Sequence, residues 1–256
     1  MESLNNIGQF EKRGLCVVPL LKERLGEVGD QREECIFDLM ALKVKICCIA
    51  SITEAKMAID AGANAVGLVA RMPSGPGPIA DELIAEIAKT IPAHIDSFLL
   101  TCEQSSFNII EHIKRTGTTT VQIVDELTEG SYQHIRDELP QIKIVQVLHV
   151  EDEGTIEEAL KLQEHVDYFL LDSGNPKAQI KTLGGTGNVH DWKISRKLIE
   201  SVDVPVFLAG GLNAENVRQA IEIVEPYGVD LCSGVRTEGK LDADKLKKFF
   251  ESVRSL

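Results

Sequence analysis

From residue 43 onward, short β-branched apolar runs alternate with longer stretches that carry apolar residues at helical spacing. Such alternation predicts parallel βα units. Eight strands are expected, at 43–49, 64–69, 95–101, 118–123, 142–149, 166–171, 204–209 and 228–232, each with a helix after it. Ser51 followed by Glu54 fits a capping box opening "ITEAKMAIDAG", and Gly62 closes that helix. Asn213 is placed to cap "NAENVRQAI". The segments "ITEAKMAIDAGANAVGLV" and "NAENVRQAIEIVEPYGVDLCSG" share one layout: polar cap, acidic first turn, apolar stripe, glycine, short strand.

Eight modules over residues 43–256 predict an α/β fold of the (β/α)8 TIM barrel type, whose usual length is roughly 250 residues. An open doubly wound sheet is the alternative topology. Residues 1–42, of mixed charge with the apolar patch "GLCVVPLL", are expected to form an N-terminal extension packed on the barrel.

Composition narrows the function. With 256 residues and 43% hydrophobic content, the chain can bury a core without staples. A formal charge of −13 argues against nucleic acid and anionic membrane partners, although local basic groups can still hold a small phosphorylated ligand. The opening "MESLNNIGQFEKRG" lacks the apolar core of a signal peptide, and no run approaches a membrane span, so a cytoplasmic protein is expected. Six cysteines show no metal-type spacing, and in a reducing compartment most are expected to be buried free thiols. His94, His149, His165 and His190 likewise show no ligand spacing, so no metal site is expected.

In a barrel of this kind the active site lies at the C-terminal strand ends. By period 2, Lys45 and Cys47 share the inward face of "KVKICCI", leaving Cys48 to face the helices. A buried lysine needs a counter-charge. Asp230 offers one, because the last strand adjoins the first in a closed barrel and "VDLCSG" gives Asp230 and Cys232 the same parity. The sixth strand ends in "FLLDSG", which sets Asp172 at the same rim. One thiol and one carboxyl across a barrel mouth can work as base and acid, although a lone Cys47 is more commonly a small core residue. Glycines crowd the later loops: "KTLGGTGNVHDW" with Gly185, "FLAGGLN" with Gly210 and Gly211, and "CSGV" with Ser233 and Gly234. Backbone N–H groups after strands 7 and 8 commonly hold a phosphate.

The segments "VKIC-I" at 44–49, "AGANAVGLV" at 61–69, "VQI" at 121–123, "LLDS" at 170–173, "GGTG" and "DW" within 184–192, "LAGGLNAENV" at 208–217 and "VDLCSGV" at 229–235 together resemble the phosphoribosylanthranilate isomerase family of tryptophan biosynthesis. The likeness runs from about residue 43 to the C-terminus. It implies an Amadori rearrangement, in which a phosphoribosylamine aldose becomes a 1-deoxyribulose phosphate, with Asp172 as acid, Cys47 as base and no cofactor. The phosphate is implied near Gly185, Gly210, Gly211, Cys232, Ser233 and Gly234, with Lys45 and Asp230 beneath. Departures from the family pattern are Cys48 in place of glycine, and Gly75, Pro76 and Gly77 where an arginine holds the anthranilate carboxylate. Arg71 precedes that loop. Cys232 replaces a serine and Arg236 a glutamate, Arg236 serving either an anion or a surface ion pair. The expected partner is a phosphosugar. An isomerase for phosphoribosylanthranilate, an isomerase for a related phosphosugar amine and a non-catalytic phosphosugar-binding protein stand as readings, with the Cys47 and Asp172 pair favouring an enzyme. Oligomeric state is not read from this sequence.

Overall fold

A computed structural model describes residues 42–173 and 191–254. The expected extension, apart from Leu42, lies outside the described residues, as does Gly185. Eight parallel strands close into a barrel in chain order: β1 (Lys43–Ile46), β2 (Ala65–Val69), β3 (Asp96–Thr101), β4 (Thr120–Ile123), β5 (Lys143–His149), β6 (Tyr168–Asp172), β7 (Val206–Leu208) and β8 (Gly228–Leu231). Around them run α1 (Ile52–Ala61), α2 (Asp81–Ala88), α3 (Ser106–Thr116), α4 (Tyr132–Glu138), α5 (Gly154–Leu162), α6 (Trp192–Ser201), α7 (Val217–Val224) and α8 (Ala243–Arg254). A closed barrel, rather than an open sheet, follows from the pairing of β1 with β8, which sets Lys45 beside Asp230.

Strand parity sorts the core into two layers. Val44, Ile46, Val66, Leu68, Leu99, Val121, Ile144, Leu171, Leu208 and Leu231 face the helices in one apolar cluster. Ala65, Phe98, Leu100, Val145, Val147, Leu170 and Phe207 fill the interior in a second. Period-2 alternation decides which residues reach the inside of such a barrel.

Local signals behave as expected at α1. The Ser51 hydroxyl accepts from Glu54 N at 3.1 Å, and Gly62, at φ 119, donates to the carbonyls of Ala58 and Ile59. The carboxylate of Glu54, however, turns back to Ala50 N at 3.0 Å instead of to the cap itself. Asn213 does not open α7; its side chain accepts from Glu215 N and Asn216 N, forming a turn, and the helix begins one turn later at Val217. Strand β1 ends earlier than expected because Cys48 adopts φ 62, in the left-handed region that breaks a ladder.

At the N-terminal end of the barrel an aromatic floor forms from Phe98, Tyr168, Phe207 and Tyr227, with ring centroids 5.4 to 6.0 Å apart. Gly228 admits the Phe207 ring, since a side chain there would start 2.5 Å from Phe207 Cε1.

Candidate active site

Above the floor lies the charged layer. Lys45 is fully buried and pairs with Asp230 at 2.9 Å, while its ammonium also sits 5.2 Å from the centre of the Phe98 ring. Burial alone would strip the proton from such an amine, but Asp230 and the Cys47 sulfur outweigh it and hold Lys45 above its ordinary value. Burial raises Asp230, with the Asp172 carboxylate adding to the effect and Lys45 opposing it. The inward lysine and its partner are therefore as the strand parity predicts.

The mouth opens over this pair. Cys47, Cys48, Gln122, Asp172, Gly210, Gly211, Asp230, Cys232 and Ser233 line one cavity. Cys47 belongs to the interior cluster, 5% exposed, and its backbone is fixed by a 2.7 Å bond from Cys47 N to Leu231 O. Gly67 on β2 makes the room: a side chain there would begin 2.8 Å from Cys47 Sγ and 3.2 Å from Lys45 Nζ. Across the mouth, Asp172 closes β6, and its Oδ1 accepts from Ser173 N at 2.7 Å. The cavity thus brings a thiol, a carboxyl and two loop backbones to one place.

The phosphate-type loops lie after β7 and β8. Gly210 and Gly211 take φ 87 and φ 64, a backbone that side chains disfavour. Asn216 Nδ2 donates to Gly211 O at 3.0 Å and fixes that loop. Gly234 packs so tightly that a side chain would start 2.0 Å from Leu212 O, so the two loops form one unit. Ser233 opens the short 3-10 turn Ser233–Val235 beside it.

Two sequence expectations need correction. Cys48 does not face the helices: once the chain turns left-handed after β1, parity no longer applies, and its thiol lines the mouth with Sγ 3.6 Å from Pro76 O. Arg236 forms a buried ion pair rather than a surface one. It is 9% exposed, pairs with Glu54 at 3.1 Å and donates to the carbonyls of Cys47, Cys48 and Gly239. Glu54 in turn accepts from Leu241 N at 2.9 Å. Although burial acts against its charge, bonds from Arg236, Leu241 and Ala50 lower its pKa. This clasp fastens the backbone of the two cysteines to the last loop. Arg71 is exposed and does not line the cavity, where no arginine or lysine is found among the described residues.

Sequence reasoning passed over Gln122. It is 3% exposed, lines the cavity from β4, and its Oε1 has no hydrogen-bond partner among the described residues. A buried acceptor left without a donor is costly in a resting fold and is a mark of a ligand-facing group. The signal was present in "VQI", a polar residue at an inward strand position. Among the other histidines, His149 bonds Val124 O at 3.2 Å and His165 stacks on Tyr132.

Residues 44–252 match the model of the N-(5'-phosphoribosyl)anthranilate (PRA) isomerase family. The chain belongs to that family. An N-(5'-phosphoribosyl)anthranilate isomerase of Methanosarcina acetivorans is 38% identical over 225 residues, covering 83% of this chain and 93% of that protein. The counterpart from Methanocella arvoryzae is 32% identical, covering 83% and 98%. Among solved structures, a phosphoribosyl anthranilate isomerase in complex with reduced 1-(o-carboxyphenylamino)-1-deoxyribulose 5-phosphate superposes with a TM-score of 0.68 at 27% identity, covering 84% of this chain and all (100%) of the other. The Thermotoga maritima enzyme gives 0.70 at 29% identity with the same coverage. The isomerase reading therefore stands over that of a binding protein, and the likeness is that of an ordinary family member rather than a strayed one. No helix among the described residues is long and apolar enough to cross a membrane.

Proposed function

We propose that the barrel isomerises N-(5'-phosphoribosyl)anthranilate, with Asp172 as the acid and Cys47 as the base. The single observation that carries the assignment is that these two side chains line one cavity with the Gly210–Gly211 and Ser233 loops. Asp172 donates a proton to the ribose ring oxygen, and the ring opens to the iminium. The Cys47 thiolate then removes the proton from C2, giving an enolamine, which takes a proton at C1 and loses one from the C2 hydroxyl to become the ketose. The reaction thus requires a protonated carboxyl and an ionised thiol in the same mouth. Lys45 supplies a counter-charge beside the sulfur, and Asp230 holds that lysine in place.

The substrate's phosphate is held by backbone N–H groups of Gly210, Gly211, Ser233 and Gly234. A phosphate-bearing ligand is in keeping with the reduced 1-(o-carboxyphenylamino)-1-deoxyribulose 5-phosphate bound by the solved isomerase. Gln122 is suited to accept from a sugar hydroxyl, a donor its Oε1 does not find among the described residues. Without a guanidinium, the aromatic carboxylate meets the β2–α2 loop at Ser74 and Gly75, both on the cavity wall. The enzyme works in the cytoplasm on a small phosphosugar. Complementation of an auxotroph lacking this isomerase tests the reading: growth is expected with the native chain and none with Cys47→Ser, whereas no growth with the native chain overturns it.

A further inference from the structure

Three thiols meet at the mouth, only one of which the rearrangement uses. Cys47 follows Ile46 in the register that pairs Ile46 with Leu231, so Cys232 lies beside it on the neighbouring strand end. Cys48 turns into the same cavity, and all three are free thiols. We propose that Cys48 and Cys232 form a dithiol that hydroperoxides oxidise to a disulfide, closing the mouth reversibly while sparing Cys47.

Positions assign the roles. Cys232 is partly exposed, whereas Cys47 and Cys48 are each 5% exposed, so an oxidant meets Cys232 first. The Cys48 thiol, then Arg236 and Lys45, favour the Cys232 thiolate and hold it below its ordinary value, despite burial. Cys48 is held up instead, by Cys232, by Cys47 and by burial. One sulfur is thus the nucleophile and the other the resolving thiol. A bridge between Cys47 and Cys48 is disfavoured, because adjacent residues close a small strained ring and Cys47 is pinned to Leu231.

In the first step the Cys232 thiolate attacks a peroxide oxygen, the O–O bond breaks, and the leaving oxygen takes a proton and departs as water or alcohol. Sulfur is oxidised to the sulfenic acid as the peroxide is reduced. Cys48 then gives up its proton and attacks that sulfur, the S–O bond breaks, and water leaves as the S–S bond forms. The bridge would lie across the ends of β1 and β8, next to Ser233, where the phosphate is seated.

Hydrogen peroxide on the native full-length chain is the test, read by non-reducing peptide mapping and turnover. A disulfide between Cys48 and Cys232 is expected, with fragmentation between residues 47 and 48 telling those two apart, and turnover lost to peroxide should return with dithiothreitol. Cys48→Gly suits the left-handed backbone at that position, so basal turnover should persist. In that variant the loss should become irreversible, as Cys232 passes to the sulfinic acid. Oxidation confined to Cys47, a Cys47 disulfide, or no linkage overturns the proposal. If Cys48→Gly does not fold, the mapping of the native chain decides alone, and because it needs no turnover its failure is distinct from failure of the isomerase reading.

Discussion

The two ends of this barrel are built on opposite principles. At the floor, four aromatic rings interlock, Gly228 admits one of them, and Lys143 meets both oxygens of Asp96 at 2.8 Å. At the mouth, Gln122 Oε1 has no donor among the described residues, Cys48 takes a left-handed backbone, and a thiol and a carboxyl line a cavity. The floor is filled to stabilise the closed barrel; the mouth leaves polar groups lining an open cavity. Stability and chemistry are thus divided along one axis, with Lys45 and Asp230 at the border.

That division can be broken from either side. The largest effect is expected from Phe207→Ala, which removes the ring touching the other three. It should lower unfolding stability by about 3–5 kcal/mol in denaturant titration, with the remaining folded enzyme keeping its KM. Next comes the clasp behind the cysteines. Glu54→Gln leaves Arg236 without its charge partner and should cost about 3 kcal/mol at neutral pH. Because folding lowers the pKa of Glu54, its contribution is present above the unfolded carboxylate value and fades as pH falls through the folded one. The gap between native and Glu54→Gln proteins, measured by chemical denaturation, should therefore shrink on acidification.

Two smaller changes sharpen the border. Gly67→Ala drives a methyl against Cys47 Sγ and Lys45 Nζ, and overpacking of this kind costs about 1–3 kcal/mol. Turnover should fall with it, since the thiol must move, and an alanine variant with native kcat would show that Cys47 is not positioned as described. Gln122→Met should do the reverse. It removes an unpaired buried acceptor, so thermal stability should hold or rise, while kcat/KM falls by about tenfold, equivalent to roughly 1.4 kcal/mol. Unchanged kinetics there would remove Gln122 from the substrate's contacts.

Much of this was written in the alternation of the chain. Because interior and helix-facing residues alternate, "KVKIC" alone places Lys45 and Cys47 inward, and closure of eight modules puts Asp230 beside that lysine. Asp172 was legible as a carboxylate ending an apolar strand. What escaped lies where period 2 stops. Cys48 is one residue past a strand, where a single left-handed step redirects its side chain, and no pattern of polarity announces that turn. Arg236 was misjudged because its partner, Glu54, is 182 residues away, and only the closed barrel makes them neighbours. Gln122 was passed over for a different reason: its meaning depends on the lack of a donor among the described residues, which no sequence pattern announces.

The central claim is that one thiol and one carboxyl in the mouth carry the proton transfers. Single-turnover conversion of phosphoribosylanthranilate by the native, Cys47→Ser and Asp172→Asn proteins, each confirmed folded by denaturant titration, tests it most directly. The account predicts conversion by the native chain and a loss of about 100-fold to 10,000-fold or more in each variant, at native-like stability. A folded variant of either residue that turns over at the native rate would contradict it.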